Sequence, residues 1–76
     1  MKKLPPGHDL TVTLFAASNR CGIKVDVLRE LLAKAPWVRL GLHLWGSMAS
    51  TRLVTLRRFD EVDALGRPIA VKGGRS

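Results

Sequence analysis

Cysteine is nearly absent from this chain. The one present, Cys21, has no partner among the 76 residues, so no internal disulfide can staple the fold, and a reducing, cytoplasmic setting is expected. Acidic residues are scarce as well, with six Asp and Glu against thirteen Lys and Arg. Long apolar runs are missing, and the two lysines of "MKKLPPGHD" lead into no apolar segment, so no membrane-spanning element is expected. Candidate metal ligands are few. Cys21, His8 and His43 show none of the paired spacings of a zinc site, and neither histidine belongs to a nucleophile–base pattern. These absences argue against a metal centre, a cofactor and an enzyme.

What is present is an ordinary supply of core-forming residues. Hydrophobic residues make up 46% of the chain and charged ones 25%, the balance of a folded globular protein. Seventy-six residues suffice for one domain around one core, with too little interior to enclose a large substrate. The formal net charge of +7 on so short a chain favours an anionic partner, and nucleic acid is the commonest.

Residues 1–9, with two prolines and a glycine, predict a flexible extended arm. "LTVT" alternates apolar and hydroxyl residues, enough for a very short strand, and Thr13 can then cap a helix. Leu14, Ala17 and Cys21 fall at i, i+3 and i+7, one face of a helix that Gly22 can stop by taking positive φ. The pattern restarts in "KVDVLRELLAKAP": Val25, Leu28 and Leu32 share a face with Leu31 beside them, Asp26 suits the first turn, Pro36 ends the run, and Val27 is assigned to the core.

Two short helices about one glycine form a corner. Ser18, Gly22, Ile23, Leu28 and Leu31 fit the helix-turn-helix spacing, which any αα-corner in a small bundle also satisfies. From 37 to 59 the apolar period changes to 2. Val38, Leu40, Leu42 and Leu44 share one strand face, "GSMAS" supplies a turn, and Val54 and Leu56 mark a returning strand. Arg39, Arg52, Arg57 and Arg58 lie along this hairpin, while Trp37 and Trp45 are expected to cover the core. "DEVDAL" predicts a short last helix capped by Asp60, with Val62 and Leu65 inward and Gly66 and Pro68 beyond its end. Residues 67–76 form a basic tail whose "IAV" run suits an edge strand or a contact with a neighbour.

A basic hairpin directly after a helix-turn-helix resembles the small winged-helix domains of the phage excisionase group and the related MerR-like DNA-binding domains. The pieces that carry the likeness are "TLFAASNRCGI", "KVDVLRELLAKAP", "WVRLG" and "RRFDEVDAL", within residues 10–66. The resemblance implies an α+β winged helix-turn-helix with two short N-terminal helices, a β-hairpin wing and a short C-terminal helix. It implies that the second helix enters the major groove through Lys24, Arg29 and Lys34, with Arg29 first for a base contact. The wing would be Arg39, Ser47, Ser50, Thr51, Arg52 and Arg57. The expected function is sequence-specific binding of double-stranded DNA, foremost as an excisionase-like directionality factor that self-associates on DNA and works with an integrase. A long dimerisation helix, normal in MerR-like regulators, is missing. The alternatives are a small transcriptional regulator, or a module that antagonises a transcription factor through its unusually apolar second helix.

Overall fold

The computed structural model describes residues 4–69. Their elements are β1 (His8–Thr13), α1 (Leu14–Cys21), α2 (Val25–Lys34), β2 (Val38–Arg39), β3 (Leu44–Met48) and β4 (Leu53–Arg58). The strands form one antiparallel sheet in the order β1-β4-β3-β2, which sets the first strand beside the last. The result is an α+β arrangement with both helices packed on one sheet face.

Local chemistry accounts for the helix boundaries. Thr13 keeps extended dihedrals, and its Oγ1 accepts the Ala16 N–H at 3.1 Å, satisfying one of the donors that every helix start leaves free. The Leu14 N–H donates to the Arg52 carbonyl at 2.9 Å, so the same helix start is tied to the β3–β4 turn. At the other end Gly22 sits at φ 70° and donates its N–H to the Ser18 carbonyl, while the Ser18 hydroxyl donates to the Ile23 carbonyl across the corner. Only a residue without Cβ adopts this φ at little cost, which is why the corner falls here.

The core is made where helices and sheet meet. Leu14 and Ala17 of α1, Leu28 and Leu32 of α2, and Val54 and Leu56 of β4 form one buried cluster, with Val12, Ile23, Val25, Leu40 and Met48 packed around it. Gly46 faces the same interior opposite Leu56, and a Cβ there would lie 2.6 Å from Leu40 Cδ1. The glycine lets the Leu40 side chain close over β3.

Five expectations are corrected. The run 37–45 is not one strand: Val38 pairs with Gly46 and Arg39 with Trp45, and the chain reverses between, with the Leu40 and Gly41 N–H groups both donating to the Leu44 carbonyl. A four-residue reversal preserves the period of 2, so the apolar pattern reads the same folded or straight; Leu42, at the reversal, is 54% exposed. The next turn is 49–52 and not "GSMAS", because Gly46, Ser47 and Met48 belong to β3. "DEVDAL" forms no helix. The Asp63 carboxylate instead accepts the Leu65 and Arg67 N–H groups at 2.9 Å each and the Arg67 guanidinium at 2.9 Å, a local turn that competes with helical bonding. Leu65 is consequently 62% exposed, and Val62 pairs with Pro68 in an isolated bridge. Val27, assigned to the core, is 47% exposed. The strand β1 begins at His8, inside the segment expected to be an arm. Of the "IAV" run only Ile69 is described; Ala70, Val71 and the basic "KGGRS" lie outside the described residues.

Two substitutions should separate packing from corner geometry. Leu28→Ala, at a fully buried position, should cost about 2–5 kcal/mol. Gly22→Ala should cost about 1 kcal/mol through its φ alone, since nothing stands within 4 Å of the added methyl. Urea unfolding of the two variants measures both, and equal losses would contradict this assignment.

Candidate nucleic-acid interface

Helix α2 turns Leu28 and Leu32 inward, which leaves Arg29 and Glu30 exposed on its other sides. Beside it, the β3–β4 turn projects Ser50, Thr51 and Arg52 into solvent. Arg29, Met48, Ser50, Thr51 and Arg52 line one open cleft of about 710 Å³. Two arginines and two hydroxyl residues therefore line one space, and no Asp or Glu lines it. The turn is braced by the start of α1 and by one of its own side chains: the Arg52 carbonyl accepts from the Leu14 N–H, and the Arg52 N–H approaches Ser50 Oγ at 3.4 Å.

The other expected contacts distribute around this cleft. Lys34 and Ser47 line an adjoining hollow that shares Met48 with it, so Ser47 takes part from within β3 and not from the turn. Lys24 stands at the N-cap position of α2, exposed and making no side-chain cap bond. Ten helical residues extend about 15 Å, so Lys24 and Lys34 bracket Arg29 along one helix.

Arg57 and Arg39 stand elsewhere. In β4, Val54 and Leu56 face the helices, so Arg57 faces the opposite side of the sheet. There its Nε donates to Asp9 Oδ1 at 2.6 Å and its Nη2 to Asp9 Oδ2 at 2.9 Å, while the guanidinium lies 4.5 Å over the Trp37 ring. Its Nη1 also points at the Leu4 and Pro5 carbonyls, at 3.5 and 3.4 Å. A side chain so engaged is a structural clamp between β1, β4 and the N-terminal segment, on the sheet face opposite the helices. Arg39 lies in β2, its guanidinium packed against Gly66, away from the turn. Trp45 is half-buried near it and donates its Nε1–H to the Gly66 carbonyl at 3.3 Å.

The clamp leaves an electrostatic mark. The hydrogen bond from Arg57 holds the Asp9 carboxyl below its ordinary value of 3.8, against a smaller opposing effect of burial, and the Arg57 guanidinium is raised in turn. Bonds from Arg67, its backbone first, likewise lower Asp63. Burial pushes the Cys21 thiol above 9.0, which suits a half-buried apolar corner residue.

The parity of β4 placed Arg57 on the far face in the sequence already, but its partner Asp9 is 48 residues away and was not legible. Phe15, 71% exposed, and Val27 are apolar side chains on the surface. Comparison with family models, with curated proteins and with solved structures finds no match for the chain. Among the described residues no helix is long and apolar enough to cross a membrane, and no three His, Cys, Asp or Glu residues are grouped to hold a metal ion.

The Asp9–Arg57 clamp predicts a pH response. A carboxyl whose folded-state value is depressed stabilises the fold above its unfolded-state value and loses that contribution as pH falls through the acid range. Asp9→Asn should therefore cost about 0.5–1 kcal/mol at neutral pH, the scale of a partly exposed ion pair, and the variant should lose less further stability than the parent on acidification to about pH 3. Urea midpoints at the two pH values check this; equal acid sensitivity would remove the clamp's role.

Proposed function

We propose that the chain is a sequence-specific module for double-stranded DNA, of winged-helix kind, with α2 entering the major groove and the β3–β4 turn serving as the wing. The observation that carries this reading is the shared cleft: Arg29 of the helix and Ser50, Thr51 and Arg52 of the turn face one open space free of carboxylates. A ten-residue helix, about 15 Å long, suits a major groove about 12 Å wide. The net charge of +7 supplies the sequence-independent attraction to phosphates.

The residues then divide by chemistry. Arg29 has the forked donor geometry that reads guanine edges, whereas Lys24, Lys34 and Arg52 suit phosphates, with the Ser50 and Thr51 hydroxyls donating to backbone oxygens beside them. A module of this size buries only about 600–1,000 Å² on DNA, so selectivity in a genome calls for several copies or a partner. That requirement favours an excisionase-like architectural role beside an integrase over a lone transcriptional regulator, and action by assembly over catalysis. A second reading, a protein-interaction module, draws on the exposed Phe15 and Val27.

Affinity for duplex DNA should fall steeply with salt, with the log–log slope losing about one unit for each phosphate contact removed, as in Arg52→Ala. Arg29→Ala should instead narrow the preference for a selected site over random duplex, by about 1–3 kcal/mol. Competition binding with both variants measures the split. Absence of duplex binding at low salt would reject this reading in favour of the protein-interaction one, and an unchanged specificity ratio in Arg29→Ala would reject base reading by that residue.

A further inference from the structure

At the end of β4 remote from the wing lies a second groove, unrelated to the cleft on α2. Arg58 stands five residues from Leu53, about 17 Å along the strand. Because α1 runs back antiparallel to β1, its last turn brings Arg20 to this same end. Arg20, Arg58, His8 and His43 line a groove of about 440 Å³ whose apolar lining is Leu10, Leu44 and Leu56. That volume lies in the range of small-molecule sites, about 300–1,000 Å³.

The charges here are unevenly committed. Asp9 also lines the groove, but its carboxylate is held by Arg57 on the other sheet face. His8 Nε2 lies 3.3 Å from Asp60 Oδ2, so that imidazole already has an acidic neighbour. His43 Nδ1 contacts the Phe59 carbonyl at 2.7 Å; a carbonyl only accepts, so Nδ1 carries the proton and Nε2 is left over. Arg20 and Arg58 make no side-chain hydrogen bond or ion pair among the described residues, although both are exposed on an otherwise compact surface. Two permanent guanidinium charges over an apolar floor, with no uncommitted carboxylate, match a ligand carrying both a doubly charged head and an apolar body.

We propose that this groove binds a nucleotide-sized organic phosphomonoester, its phosphate between Arg20 and Arg58 and its apolar body against Leu10, Leu44 and Leu56. The site is independent of the DNA reading: it uses other residues at the other end of the sheet. A duplex backbone is a poor occupant, because its phosphates stand on a wide rigid cylinder and would leave the apolar floor unused.

The test is titration of the full chain with adenosine 5′-monophosphate, adenosine and inorganic phosphate, followed by calorimetry and by amide shifts in NMR. The monophosphate should bind at least tenfold more tightly than either fragment and should shift Leu10, Leu44 and Arg58 while leaving Ser50–Arg52 in place. Arg20→Gln and Arg58→Gln should each weaken it about tenfold, as expected for loss of a charge-assisted bond. Arg67→Gln, which removes one charge outside the groove, should not. Both groove arginines are exposed, and melting curves matching the parent would show the variants fold. Equal binding of phosphate and monophosphate, equal effects of all three substitutions, shifts centred on the wing, or no binding at millimolar ligand would each overturn the proposal.

Discussion

A single backbone hydrogen bond joins the parts of this molecule that the proposed function needs together. The first N–H groups of a helix have no partner within it, and at the start of α1 the Leu14 N–H is satisfied by the Arg52 carbonyl at the β4 end of the β3–β4 turn. Thr13 caps the same helix start, and Thr13 is also the last residue of β1, in register with Leu53 of β4. The helix start, the sheet and the turn are therefore one junction. The corner at Gly22 then sets α2 at an angle fixed relative to α1, and thereby relative to the turn. Loosening the junction would free Arg52 and the two hydroxyl residues beside it from their position across from Arg29.

The sheet's two faces make different demands. The helix side is filled by Val54, Leu56 and the helix leucines, and at Gly46 the fit is close enough that any added Cβ would have to displace the Leu40 side chain. The far side is held by a polar and aromatic clamp, in which Arg57 bridges Asp9, Trp37 and the carbonyls of Leu4 and Pro5. A positive charge excess thus separates into arginines that hold the fold and arginines that face solvent. Arg57 and Arg67 are paired with Asp9 and Asp63. Arg20, Arg29, Arg52 and Arg58 have no such acid within bonding distance among the described residues, and they sit in two groups at opposite ends of the molecule.

Locally determined features were legible in the residues. Thr13 as a cap, Gly22 as a left-handed stop, Pro36 beyond the second helix, and Val54 with Leu56 as the inward face of the last strand each depend on near neighbours. The Arg29, Ser50, Thr51 and Arg52 grouping followed from placing a hairpin after a corner. Features decided by distant partners were not legible. The reversal at 40–43 hides in an unbroken period of 2, and the engagement of Arg57 depends on a strand paired from the far end of the chain. The last expected helix failed because one carboxylate, Asp63, found backbone donors two and four residues on. Val27 was misplaced because a helix packed on one side buries only a stripe, and Val27 lies about 100° around from Leu28.

The proposed function requires α2 and the β3–β4 turn to present one surface to duplex DNA. Its most direct test is an NMR titration of the protein with a short duplex at low salt, following backbone amides and arginine side chains together. Shifts should concentrate at Lys24, Arg29, Lys34 and Ser50–Arg52, with the Arg29 and Arg52 guanidinium signals moving together and the clamp at Arg57 unmoved. Shifts centred on Phe15 or on the Arg57 face of the sheet, or none at all, would contradict it.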